Sequence, residues 1–213
     1  MKKKMTILLA AAAIAGVLAI GGTMAYLTDY DTVNNRFTVG KVEIDLEEPG
    51  WKPKDNEKLV PTQNIAKDPQ IINTGKNDAF VYLEVSVPIR NVITANPDGS
   101  RKPKADTELF TFTADKEWTQ VSRSRVGANQ VYAYCYNRVL SPGKNTTPLF
   151  QSMTFANVIE GQLEEEALEV PVRAYAIQTV HTGGDKQSVV EQAKEAYKKY
   201  IAQNKGQTGK VTQ

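Results

Sequence analysis

Asp78-Ala79-Phe80-Val81-Tyr82-Leu83-Glu84-Val85-Ser86-Val87 is the stretch on which the fold turns. Ala79, Val81, Leu83, Val85 and Val87 fall on one side of an extended chain, and Phe80, Tyr82, Glu84 and Ser86 on the other. A period of two belongs to a β-strand and not to a helix, whose apolar positions recur every three or four residues. Pro88 follows at once and has no N–H to give to a ladder, so the pattern predicts a strand that stops there.

The same period recurs on both sides of that stretch. From Asn35 to Leu46, Phe37 and Val39 give way to Val42, Ile44 and Leu46 alternating with Lys41, Glu43 and Asp45; Gly40 marks the phase shift, a predicted bend or bulge. From Gln130 to Leu140, Val131, Ala133, Cys135 and Asn137 alternate with Tyr132, Tyr134, Tyr136 and Arg138. Leu149–Phe155 and Glu169–Val180 read as further strands, the second with Val170, Val172, Ala174, Ala176 and Val180 on one face. Weaker signals lie at Gln70–Ile72, Leu109–Thr113 and Trp118–Val121. The polar, Pro-containing stretches Glu48–Pro61 and Asn96–Lys104 read as surface loops, and Glu164–Leu168 as a short helical turn. About eight strands joined by Gly, Pro and Asn turns predict an all-β antiparallel sandwich or jelly roll.

One segment departs from this pattern. Val189, Val190, Ala193, Ala196, Tyr197, Tyr200 and Ile201 form an apolar stripe at helical spacing across Ser188–Gln203. Ser188, with Glu191 three residues on, has the form of a capping box. The stripe serves either to pack the helix on the sandwich or to bind a partner, and packing is the simpler role. Gly206–Gln213 is polar and reads as a disordered tail.

The first forty residues set the compartment. Lys2, Lys3 and Lys4 precede an apolar or glycine run from Ile7 to Ile20, and Thr23 and Ala25 stand where a signal peptidase that cuts between Ala25 and Tyr26 reads small residues. The alternative is a retained anchor, but 14 residues fall short of the roughly 20 that cross a bilayer. Residues 1–25 therefore read as a signal peptide and 26–205 as one secreted domain. The mature chain has 23 basic against 24 acidic residues, near −1 against +2 for the precursor, a balance that gives no electrostatic support to nucleic-acid binding. It carries no second apolar run of membrane-spanning length. The only cysteine is Cys135, so no intrachain disulfide is available.

Catalytic constellations are sparse. His181, the one histidine, enters a Thr182-Gly183-Gly184 turn and reads as a solvated surface residue. Zinc hydrolases need several ligands and a base, and no HExxH is present. Cys135 sits in an alternating strand beside tyrosines and reads as a small buried hydrophobe. Asp29 with Asp31, Asp45 with Glu47 and Glu48, Asp115 with Glu117, and Glu164–Glu166 are acidic enough for calcium but follow no calcium-loop spacing. No cofactor is expected. Asn145-Thr146-Thr147 matches the short glycosylation acceptor pattern.

The run Gly21-Gly22-Thr23-Met24-Ala25-Tyr26-Leu27-Thr28-Asp29, then Asn34-Asn35-Arg36-Phe37-Thr38-Val39-Gly40-Lys41-Val42 and Ile44-Asp45-Leu46, resembles the start of the TasA/camelysin family of secreted matrix proteins. Lys67-Asp68-Pro69-Gln70-Ile71-Ile72-Asn73-Thr74-Gly75, Val139-Leu140-Ser141-Pro142-Gly143, Thr147-Pro148-Leu149-Phe150 and Ala174-Tyr175-Ala176-Ile177-Gln178 extend the likeness. The resemblance implies a jelly roll, processing by a SipW-type signal peptidase, and polymerisation into biofilm fibres by a mature N-terminus that completes a neighbour's sheet. On that reading Tyr26–Phe37 is the donor strand, with Tyr26, Leu27, Tyr30, Val33 and Phe37 as its anchors. The partners are then further copies of the chain and accessory matrix proteins, with no nucleic acid and no membrane in the mature form. A secreted monomeric adhesin or fibre-accessory protein is the alternative. A metallopeptidase, an activity the family also includes, is a third.

Overall fold

The computed structural model describes residues 28–31, 42–52, 59–163, 166–179 and 188–204. Among these residues the strands are β1 (Thr28–Asp31), β2 (Ile44–Glu47), β3 (Asn64–Ala66), β4 (Gln70–Asn73), β5 (Ala79–Val92), β6 (Ala105–Glu108), β7 (Phe110–Phe112), β8 (Trp118–Val126), β9 (Asn129–Tyr136), β10 (Ser152–Phe155) and β11 (Val172–Gln178). The one helix among the described residues, α1 (Val189–Gln203), follows. The structure is predominantly β, as the alternation predicts.

The largest sheet runs β1-β11-β5-β9-β8, with β6 attached to the far end of β5. Every pairing in it is antiparallel. Strand β5 sits at its centre, and its two sets of side chains enter two different cores. Ala79, Val81, Leu83, Val85 and Val87 pack with Ala174, Ala176, Tyr134 and Tyr136 against the smaller sheets β3-β10-β7 and β2-β4, which contribute Ile65, Met153, Phe155, Phe110, Ile44 and Ile71. Phe80 and Tyr82 pack with Ala133, Cys135 and Ile177 beneath α1. The predicted facing of all three long strands is therefore the observed one.

Helix α1 does what its stripe predicts for a packing helix. Ala193, Ala196 and Tyr197 are buried on the sheet, with Val189, Val190, Tyr200 and Ile201 around them. A lone helix of 15 residues is marginal in water, so this docking is what holds it. The Ser188 side chain accepts the Glu191 N–H, which satisfies one of the orphan donors of the first turn.

Pro88 does not end its strand. Strand β5 continues to Val92, and the reason is a change of neighbour. Ser86 N–H donates to Pro171 on the β11 side, and Ile89 N–H donates to Ala128 on the β9 side. Pro88 falls on the β11 side one step beyond that ladder, where its carbonyl accepts from Leu109 and no donor is required. Ile89–Val92 then pair with β6.

Other boundaries also moved. Strand β9 stops at Tyr136, β10 begins only at Ser152, and β11 occupies Val172–Gln178 within the wider predicted stretch. Strand β8 extends through the polar Ser122–Val126 because the tight Gly127-Ala128 connection returns the chain along β9. Gly127 has φ 57°, the left-handed region such a turn uses. The bulge at Val121 turns that side chain onto the α1 core. Residues 166–168 form no helical turn, and the first two glutamates of that prediction lie outside the described residues, as do Asn35–Lys41 with Gly40 and the tail after Gly206.

Candidate functional site

The N-terminal strand decides where an interaction site can lie. Strand β1 is outermost in the large sheet and pairs with β11 in the register Thr28–Ile177, Asp29–Ala176, Tyr30–Tyr175, Asp31–Ala174. No strand among the described residues is hydrogen-bonded to its outer side, although β2 lies close to both β1 and β11. An edge of this kind presents backbone donors and acceptors to any further strand. Of the anchors expected from the sequence, Tyr30 lies in β1, opposite Tyr175. The predicted cleavage pair Ala25 and Tyr26, and the anchors Leu27, Val33 and Phe37, lie outside the described residues.

Beyond the β1–β11 pairing, at the Leu168–Pro171 lead-in to β11, the two layers leave a cavity of about 320 Å³. Leu168, Val170, Ile65, Phe110 and Met153 give it apolar walls, and Trp51 and Lys67 stand at its polar side. Lys67 is 92% buried, pairs with Glu48 Oε2 at 2.7 Å, and lies 5.0 Å from the centre of the Trp51 ring. The other carboxylate oxygen of Glu48 is buried with no hydrogen-bond partner among the described residues. Sequence patterning did not find this cavity because its walls come from β3, β7, β10 and the β11 lead-in, which no local period links.

On the opposite face, a cluster of tyrosines seats the helix. Tyr82 and Tyr197 rings lie 5.4 Å apart and Tyr175 and Tyr200 rings 5.7 Å apart. Burial drives the Tyr82, Tyr175 and Tyr197 hydroxyls well above the ordinary phenol range. Glu84, beside them, has its carboxyl raised chiefly by burial, which outweighs Arg173 and the Tyr175 hydroxyl. The tyrosines are packing elements kept as phenols by burial, and Tyr82 stands opposite the buried Cys135 across the β5–β9 ladder.

The residues with catalytic or metal-binding potential do not converge. Cys135 is fully buried, and burial pushes its thiol up to about 11, the opposite of an activated nucleophile. Asp115 accepts the Glu117 N–H, and Glu117 pairs with Arg138. Glu166 pairs with Arg90, and Glu48 with Lys67. Asp45 and Glu47 are exposed on β2. Glu164, Glu165 and His181 lie outside the described residues. No group of three or more His, Cys, Asp or Glu residues suited to a metal ion occurs among the described residues, nor any helix long and apolar enough to cross a membrane.

Comparison with known families adds one result. A model described as camelysin metallo-endopeptidase matches residues 1–124, more than half of the chain. The chain belongs to the camelysin family. No curated protein and no solved structure matches. The family description names a metallo-endopeptidase, and the described residues do not fit the metal such an enzyme holds. A catalytic zinc takes three protein ligands and leaves one position open, and here the carboxylates are dispersed or paired with cations.

Within the matched region of this camelysin-family chain, the Lys67–Gly75 stretch is structural. Asp68 accepts the Gly50 N–H at 2.7 Å. Asn73, fully buried, donates to the carbonyls of Asn77 and Leu140 and accepts the Gly75 N–H. Its backbone carbonyl takes the Gly143 N–H. Gly143 has φ 72° after Pro142, with Lys144 N–H returning to the Ser141 carbonyl, the arrangement of a type II turn. Two of the stretches that carry the family resemblance are thus tied together through Asn73.

Proposed function

We propose that this chain is a secreted structural subunit of an extracellular matrix fibre, a jelly-roll protein whose N-terminal strand completes the sheet of a neighbouring copy. The observation that carries the reading is the place of β1: a short strand near the start of the chain, at the sheet edge, in register with β11. A strand held at an edge near a chain end exchanges between copies at low cost, because the swapped pair makes the same bonds as the intrachain pair. Such head-to-tail contacts need not close, and so build filaments. Cleavage after Ala25 by a SipW-type peptidase would free Tyr26 to act as the new N-terminus, which confines assembly to the outside of the cell.

The dispersed or cation-paired carboxylates among the described residues support a non-catalytic role. Negative-stain electron microscopy of residues 26–213 beside a version beginning at Phe37 tests it, each incubated at raised concentration. Filaments from the first alone are expected. Monomers from both would replace the fibre subunit with an adhesin or accessory protein acting alone. The family's description as a metallo-endopeptidase favours a peptidase as a further reading, and stoichiometric zinc with chelator-sensitive proteolysis would establish it.

A further inference from the structure

We propose that the cavity at the Leu168–Pro171 lead-in to β11 binds a small neutral molecule with an apolar body and one acceptor oxygen, such as a medium-chain or aryl ketone. The inference stands apart from the fibre reading and does not depend on it.

Size and lining set the kind of body. At about 320 Å³ the cavity lies at the small end of the roughly 300–1,000 Å³ range of small-molecule sites. Ile65, Phe110 and Met153 contribute almost fully buried apolar side chains, and the half-buried Trp51, Leu168 and Val170 stand around them. A water held in such a space needs about two to four polar partners, and these walls supply few. An apolar molecule that takes its place removes that cost and buries its own surface.

Charge then narrows the class. Lys67 is the one cation among the described lining residues and Glu169 the one carboxylate. Lys67 is already matched by Glu48 Oε2 at 2.7 Å. An anionic ligand would therefore enter beside two carboxylates and one ammonium. A cationic ligand would set a second positive charge beside Lys67. Either ion would give up its hydration without a free counter-charge to replace it. A neutral molecule avoids both costs.

The polar contact on offer is a donor. The Lys67 ammonium carries three N–H groups and, among the described residues, donates once, to Glu48. An acceptor oxygen on the ligand can take another. The bond to Glu48 and the Trp51 ring, whose centre lies 5.0 Å away, hold the ammonium in place before any ligand arrives. A donor placed in advance costs little ordering on binding.

The test compares three probes of equal chain length, methyl hexyl ketone, octanoate and octylamine, on the full chain purified from a secreting host. Binding is followed by the carbon-13 methyl resonances of Met153 and Ile65, which report the site itself. The ketone is expected to shift both saturably, and the two ions to bind at least about tenfold more weakly. Lys67→Met/Glu48→Gln removes the donor and keeps the walls, and should weaken the ketone about tenfold. Leu168→Trp places an indole at the half-buried rim and should abolish the shifts. Absence of any saturable shift in the parent chain would overturn the proposal, as would shifts spread over other methyl groups with Met153 and Ile65 unmoved. Octanoate binding as tightly as the ketone would overturn the neutral class, and unchanged ketone affinity in the double variant would overturn the role of Lys67. Filament formation plays no part in these readouts, so neither result bears on the fibre reading.

Discussion

The Tyr82 hydroxyl donates to the main-chain carbonyl of Ala193 at 2.7 Å, joining the central strand to the helix across 111 positions of sequence. The Tyr82 ring also stacks at a tilt on Tyr197, one helical turn further on. One residue thus supplies both the apolar floor and the polar tether of the helix. Tyr82→Phe keeps the ring and removes the tether, so it is expected to cost about 1 kcal/mol, read as a lower urea midpoint with unchanged slope. Tyr82→Ala empties the site as well and is expected to cost about 3–5 kcal/mol.

Asn73 holds a buried junction that no apolar residue can replace. Asn73→Ala leaves the carbonyls of Asn77 and Leu140 short of a donor and the Gly75 N–H short of an acceptor. A loss of roughly 2–4 kcal/mol is expected, since each buried group left unpaired costs about 1–3 kcal/mol and the turn relaxes in part. Thermal unfolding of the variant measures it. Asn73→Asp, which keeps the acceptor and loses the donors, should be no better than the alanine variant.

Glu84 makes stability depend on pH. Burial raises its carboxyl in the folded chain above the unfolded value of 4.5, so the folded state binds the proton more tightly. Its contribution is fully favourable below pH 4.5 and is lost as pH rises through the raised folded value. Glu84→Gln removes that titration. The difference in unfolding free energy between the variant and the parent should therefore shift in favour of the variant between pH 4 and pH 7. A constant difference across that range would contradict the assignment.

Cys135 reports opening of the helix-covered core. It is fully buried, with its thiol at about 11, so a neutral thiol reagent should leave the native chain unlabelled. Labelling should rise with the same denaturant midpoint as the loss of circular dichroism. Rapid labelling of the folded chain at pH 7 would show that α1 lifts from the sheet independently.

The Lys67–Glu48 pair is asymmetric in what its loss does. Lys67→Met leaves a mostly buried carboxylate without its cation and is expected to cost roughly 2–4 kcal/mol. The double variant Lys67→Met/Glu48→Gln should recover part of that loss in a denaturation cycle. Additive losses would show that the two residues act separately.

Much of the fold was legible in the sequence because a strand's facing is local. The alternation in Ala79–Val87 assigned each side chain to one of two faces, the Val131–Tyr136 and Val170–Ala176 periods did the same, and Ser188 with its stripe marked the helix and its cap. What covers each face is a long-range matter. Tyr82 and Cys135 were assigned a side but not a partner, and only the return of α1 over β5 and β9 made that side a second core. Pro88 was misread because a proline's missing N–H matters only if a neighbour wants it. Strand β6 and the outer half of β8 were missed because Asp106, Glu108, Arg123 and Arg125 pair with one another across strands and need no apolar period.

The sequence by itself determined the β character, the two-sided facing of the long strands and the amphipathic helix, because periodicity and capping act within a few residues. Only the tertiary structure decided that β1 lies against β11, that Asn73 joins the 73–77 and 140–143 turns, and that a cavity opens at Leu168. Each of these brings together groups distant along the chain. What selects them is the satisfaction of buried polar groups and the filling of space, neither of which is written in any local pattern.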